Sequence, residues 1–307
     1  MTQLTTRATA TGNFELMIDG CQTPCYLRSV EGGFVKAGVI DEPIGIDLMR
    51  IKHTTVREVE PITAEIGIAG ATDIIKWIRS SWKKDWNRRS GHIIHADYSL
   101  KSVVEQWYYD ALITETTFPT LDGSAKDATF LKIKFLPERI EVKPGDSNAL
   151  SPNIGSKQKT FQTAGFRLRI DGVDVANTRK IESFTIKQGT KKVGAGNARF
   201  QELEPTKVEF PGITGHIAYA HAGALVKWHN EFLISKSADP AAERNGALEY
   251  LAADKKTVLF TIKLMNIGLS ALSIPKSDGN QDALRICKFE LYVGSMDIEG
   301  KGGPGAE

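Results

Sequence analysis

Phe14, Leu16 and Ile18 alternate with Glu15, Met17 and Asp19, the period-two pattern of a strand with one buried face. The same seven-residue phrase, FELMIDG, returns as FRLRIDG, where Phe166, Leu168 and Ile170 alternate with Arg167, Arg169 and Asp171. Each ends in Asp-Gly, a turn signal. A second strand follows in each place, RSVEG from Arg28 and RKIES from Arg179. Long excursions come next, and both reach a Glu-Pro, Glu60-Pro61 and Glu204-Pro205. Their strand-like flanks and glycine or proline tips predict an extended β-hairpin arm in each half. Further strands are expected over 62–68 and 207–213.

The period then changes. Ile74, Ile78, Trp82 and Trp86 recur at i+4, one stripe of a helix, with Thr72 or Asp73 as N-cap. In the second half Leu225, Val226, His229, Phe232 and Leu233 form the corresponding stripe. Trp77 and Trp228 fall off these stripes, at a domain edge or toward a neighbour. Two closing strands complete each copy: SVVEQWYYDALIT then FLKIKFL, and TVLFTIKLMNIG then RICKFELYV. The order strand, strand, long arm, strand, helix, strand, strand is thus written twice, and repeated order in repeated register is the mark of duplication. The predicted fold is mainly β, with two tandem sandwich or barrel domains, each having one arm and one flanking helix. The expected bounds are 1–142 for the first, 143–163 for a Pro-, Gly- and Ser-rich linker, 164–299 for the second and 300–307 for a tail.

Composition adds exclusions. A formal net charge of +2 over 307 residues gives no bulk positive excess for nucleic acid. Three cysteines, an odd number in a long chain, point away from a disulfide framework and toward a reducing compartment. The N-terminal stretch lacks the apolar core of a signal peptide, and nowhere do apolar residues run long enough to span a membrane. His92 and His95 have no companion carboxylate or cysteine at metal-ligand spacing. The glycine-rich stretch 189–198 lacks the terminal Gly-Lys-Ser/Thr of a phosphate loop. No nucleophile elbow or acid/base pair stands out, so no catalysis, cofactor or metal is expected.

The opening F-x-L-x-I-D-G strand, the long arm before a proline, the single helix with its Lys-Trp and the closing strands FLKIKFLPERIEV and CKFELYVGSMDIE together resemble a known family. It is the tail tube proteins of contractile phages and related injection systems, which include the haemolysin-coregulated protein of type VI secretion. The resemblance implies domains joined edge to edge in a six-domain ring, and rings stacked into a hollow conduit. It also implies sheath, baseplate or spike, and terminator proteins as partners. DNA or effector protein would be transient cargo, in a virion tail or a contractile particle made in the bacterial cytoplasm. Members usually carry one such domain per chain; with two, three chains could close a pseudo-hexameric ring or six chains could stack two rings. A baseplate hub or tube initiator is the alternative within that machine, and a tandem sandwich binding module the alternative outside it.

Physical chemistry gives the resemblance expectations of its own. A small domain of five or six strands leaves sheet edges open, and neighbours would cover them. Apolar arm residues, Val39, Ile40, Ile44, Ile46, Leu48 and Ile51, with Val193 and Phe200 in the second arm, would bury on adjacent subunits. Glu15, Lys132, Lys134, Arg167 and Arg169 are the candidates for a polar lumen.

Overall fold

The computed structural model describes residues 12–21, 25–44, 49–67, 72–85, 88–146, 148–150, 162–194, 201–235, 242–273 and 285–300. It is mainly β. In the first half the strands are β1 (Asn13–Ile18), β2 (Cys25–Gly32), β3 (Val35–Ile44), β4 (Met49–Val59), β5 (Ile62–Ile66), β6 (Arg89–Ala96), β7 (Ser102–Phe118), β8 (Leu121–Asp122), β9 (Leu131–Leu136) and β10 (Arg139–Pro144), with helix α1 (Thr72–Trp82) between β5 and β6. The second half runs β11 (Phe166–Ile170), β12 (Thr178–Ile181), β13 (Phe184–Val193), β14 (Glu202–Glu209), β15 (Ile213–Ala218), helix α2 (Gly223–His229), β16 (Arg244–Leu251), β17 (Val258–Ser273) and β18 (Ile286–Gly300).

Strand pairing repeats between the halves at the level of single residues. Phe14 pairs His95 across β1–β6, and Phe166 pairs Tyr250 across β11–β16. Ile62 pairs Phe135 across β5–β9, and Ile213 pairs Leu291 across β15–β18. In the arms, Lys36 pairs Glu58 across β3–β4 and Lys187 pairs Glu209 across β13–β14, each partner displaced by 151 positions. Both Asp-Gly turns place their glycine at positive φ, Gly20 at 82° and Gly172 at 71°, where a side chain would be strained.

One shared kink explains how so few strands build two sheet layers. Asp110 in β7 and Asn266 in β17 both have positive φ, 51° and 54°. Each donates its backbone N–H to a side-chain oxygen of the preceding strand, Ser90 Oγ at 3.1 Å and Asn245 Oδ1 at 3.2 Å. Bulges of this kind bend a strand and re-aim its side chains. Before the kink β7 pairs β6, and beyond it β7 pairs β9; β17 leaves β16 at the corresponding place. The inward set shifts parity at the kink, from Gln106 and Tyr108 to Ala111 and Ile113, and shifts back at a second irregularity between Ile113 and Glu115, to Thr116 and Phe118.

Several sequence expectations are corrected. The six strands β1, β2, β5, β9, β7 and β6 close on one another, so the first half has a sealed seam rather than an open one. In the second half the connection after β11 carries Val173 and Val175 inward, both buried, and among the described residues β11 pairs only β16. The second Glu-Pro does not end its arm: Pro205 lies within β14, opposite Thr190 at a register shift, where the sheet tolerates a residue without an N–H. The strand expected over 207–213 therefore divides into the end of β14 and the start of β15. Trp77 and Trp228 are core residues, Trp77 against Phe135, so neither caps an edge. On α2 the buried stripe is Leu225, Trp228 and Phe232, with Val226 exposed; the helix passes into a π-helical turn over Asn230–Ser235, which rotates its register. Trp86 lies outside the described residues. The first-half stripe Ile74, Ile78 and Trp82 is buried as its period requires.

Close backbone approach makes Gly91 a sensitive point. A Cβ there would stand 2.1 Å from Met17 O and 2.5 Å from the Tyr108 hydroxyl. Gly91→Ala is expected to cost about 2 kcal/mol, because the clash is with a neighbouring strand's backbone. Thermal unfolding should show it as a melting point lower by roughly 5 °C.

Candidate functional site

Strand pairing, helix packing and side-chain contacts join the halves. Beyond its kink, β7 holds β9 on one side and takes β13 on the other, pairing Phe118 with Phe184, Thr117 with Thr185, Thr116 with Ile186 and Glu115 with Lys187. Strand β8 pairs β12 through Leu121 and Ile181. Helix α1 lies over the end of β18, where the Arg79 guanidinium donates to Asp297 Oδ2 and Glu299 Oε1, both at 3.0 Å, and Lys83 reaches Asp297 at 3.4 Å. The doubly hydrogen-bonded carboxylates hold the Arg79 proton even more firmly than usual. Beneath this seam Phe118 stacks on Phe184 with centroids 5.1 Å apart and also contacts Trp82, Tyr250 and Phe260.

Because β13 adds to the edge of β7, the outward face of the first half continues into the second. From the first half it presents Glu31 of β2, Thr63 and Glu65 of β5, Lys132 and Lys134 of β9, and Glu115 and Thr117 of β7. Thr117 and Thr185 hydroxyls meet at 2.9 Å across the seam. The second half adds Lys187 of β13, Lys180 of β12, Glu182 just beyond it, Thr214 and His216 of β15, and Lys288 and Glu290 of β18. Charges of both signs lie side by side on this face. Lys134 sits 3.4 Å from Glu115, His216 2.9 Å from Glu182 and Lys288 2.7 Å from Glu290. The hydrogen bond from His216 holds the Glu182 carboxyl below its ordinary range, and Glu290 raises the Lys288 ammonium. Cross-strand pairs of opposite charge stabilise a sheet modestly and leave no strong field of one sign.

Of the five polar candidates, Lys132 and Lys134 lie on this face. Arg167 and Arg169 do not: both reach Glu249 on the β11–β16 sheet, Arg167 donating from Nε at 2.6 Å and Arg169 lying 3.5 Å away. Glu15 is 4% exposed, within a strand paired on both sides, which is not the solvated position expected of it. Alternation alone could not separate these residues, because a polar partner looks the same on either sheet.

Strands β3 and β4 form a two-stranded sheet that pairs with no other strand among the described residues. Val39 is 65% exposed, Ile40 48% and Ile51 46%. Phe34, Val35 and Val56, missed by the sequence reading, are exposed beside them. The opposite holds for the second arm, where Phe184, Ile186, Gln188 and Leu203 are buried against the first half and Val193 is half-buried. Gln188 accepts from the Ser81 hydroxyl of α1. The Leu203 backbone is held on both groups: its N–H donates to Glu138 Oε1 at 2.8 Å and its carbonyl accepts from Arg88. Ile46, Leu48, Phe200 and the side chain of Ile44 lie outside the described residues.

Candidate chemistry is sparse. Burial pushes the Cys25 thiol up to about 12, and Cys287 is buried as well. Burial lowers the His92 and His95 imidazoles, and His92 stacks on Trp107 at 4.5 Å. Among the described residues no group of three or more His, Cys, Asp or Glu is placed to hold a metal, and no helix is long and apolar enough to cross a membrane.

No protein-family model matches the chain, and no curated protein does. Among solved structures the chain is similar to a component of the sheath–tube complex of an extracellular contractile injection system, PVC, in its extended state. The two share 12% identity and a TM-score of 0.40 over 50% of this chain and 100% of that one. It is similar to a chain of the anti-feeding prophage baseplate, at 12% identity and TM-score 0.36 over 44% and 92%. A third likeness is to the PVC sheath/tube terminator, at 16% identity and TM-score 0.35 over 44% and 94%.

Proposed function

We propose that this chain is a structural, non-catalytic subunit of the inner tube of a contractile tail or injection system. In this reading it is two tandem tube domains, 1–142 and 164–299, and its polar sheet face lines a conduit. The observation that carries the reading is the continuity of that face across the β7–β13 seam. One half already completes the sheet of the other, as neighbours in a closed wall must. Mixed charge suits a passage, because DNA or an effector protein slides past a surface that presents no deep potential well of either sign. The seam buries the second arm, whereas the first arm exposes Val39, Ile40 and Ile51, which fits a surface meant for another subunit. Sheath, baseplate or spike and terminator proteins would be its partners along the tube.

Negative-stain images of the purified protein test this. Rings or tubes with a central hole are expected; a protein that stays a single chain at high concentration contradicts the reading.

A further inference from the structure

The seam inside the chain is built from a giving side and a receiving side, and each has a counterpart elsewhere that, among the described residues, lacks its partner. The receiving side is β7 beyond its kink. Thr117 pairs Lys132 there, and 156 positions on Ser273 pairs Lys288, so residues 271–273 of β17 are its counterpart. Among the described residues that stretch of β17 pairs β18 on one edge and nothing on the other. The giving side is β13, whose counterpart 151 positions earlier is β3, the strand of the isolated arm. The helix repeats the pattern. Ile75 is 7% exposed beside Gly300 of β18, while its counterpart Val226 on α2 is 37% exposed. Ile298 of β18 is 0% exposed, while its counterpart Val142 on β10 is 54% exposed.

We infer that the seam is reproduced between chains, β3 of one copy adding to the edge of β17 in the next, so that three chains close a ring in which the two halves alternate side by side. The occupant of the β17 edge is therefore a second copy of this chain, and the contact is head to tail. Carrying the internal register over sets Phe34 opposite Ser273, Val35 opposite Leu272 and Lys36 opposite Ala271. Val35 and Leu272 then meet where Ile186, 2% exposed, meets Thr116 inside the chain. The same contact lays α2 of the receiving copy over β10 of the giving copy, covering Val226 and Val142. Two stacked six-chain rings would need the halves above one another, and the internal seam places them edge to edge. The inference rests on the ring reading and chooses between its two arrangements.

The test is a Val35→Cys, Leu272→Cys variant oxidised after assembly and run on a denaturing gel. Facing strand positions lie within reach of a disulfide. The expected result is a ladder of one, two and three chains that stops at three, absent from either single substitution, which keeps the three native cysteines as the background control. A ladder running on to six chains, or assembled protein that does not cross-link, overturns the register and the three-chain closure while leaving the ring reading standing. Wild-type protein gives the second readout should the variant not fold. Native mass spectrometry should find three chains of 33.7 kDa, and the amides of 271–273 should resist hydrogen exchange in that species. Six-chain rings, or rapid exchange there, overturn the inference; a wild-type protein found only as single chains overturns the ring reading itself.

Discussion

Replacing Ala37–Arg57 by Asn-Gly leaves a folded chain that no longer assembles. Lys36 and Glu58 are directly paired, so a two-residue turn of this type closes the shortened hairpin without altering its base. What is removed is the exposed apolar load of Val39, Ile40, Ile51 and Val56. Burying the roughly half-exposed part of each is worth about 1 kcal/mol, so the four together contribute about 4 kcal/mol per contact. That corresponds to about a thousandfold in affinity. Far-UV circular dichroism and the melting point should remain near wild type, since these side chains leave the core intact. Sedimentation should find single chains at concentrations where wild type forms rings. Unchanged assembly would remove the arm from the account.

Phe118→Ala is expected to be the most destabilising single substitution. The ring is fully buried and packs on Phe184 and Trp82, with Tyr250 and Phe260 within about 6 Å. It joins the cores of the two halves at the place where β13 joins β7. Removing a large buried aromatic costs about 3–5 kcal/mol, a large share of the 5–15 kcal/mol typical of a whole fold. Chemical denaturation should show it as an earlier midpoint, with the halves unfolding in separate steps as their shared core is lost. A loss under about 1 kcal/mol would mean the seam is only lightly packed.

Much of the architecture was legible because period and order survive in the sequence. Alternation located β1 and β11, the i+4 stripe located α1, and the two long excursions located both arms. What escaped depends on contacts between elements. Pro205 repeats the Glu-Pro of Pro61 by coincidence of spelling, and only the paired register shows that Thr54 is its counterpart. The stripe on α2 was misplaced because Leu225, Trp228 and Phe232 keep helical spacing as well as the expected set does, and only packing shows which of two overlapping stripes faces the core. The closed seam of the first half rests on two residue pairs between β1 and β2, too short a feature for any pattern to announce. Of the five polar candidates, alternation put Lys132 and Lys134 on the shared outward face but gave no sign that Arg167, Arg169 and Glu15 lie elsewhere. The rest was obscured because Arg167 alternates just as Lys132 does, and the kink at Asp110 and Asn266 decides which sheet each neighbour joins.

In the proposed ring the polar face shared by both halves surrounds a hole. A side-chain-resolution cryo-electron microscopy reconstruction of the assembled protein tests it most directly. Lys132, Lys134, Lys288 and Glu290 should point into the central channel, with Arg167 and Arg169 away from it. A channel lined by the β11–β16 sheet, or an assembly with no channel, would contradict it.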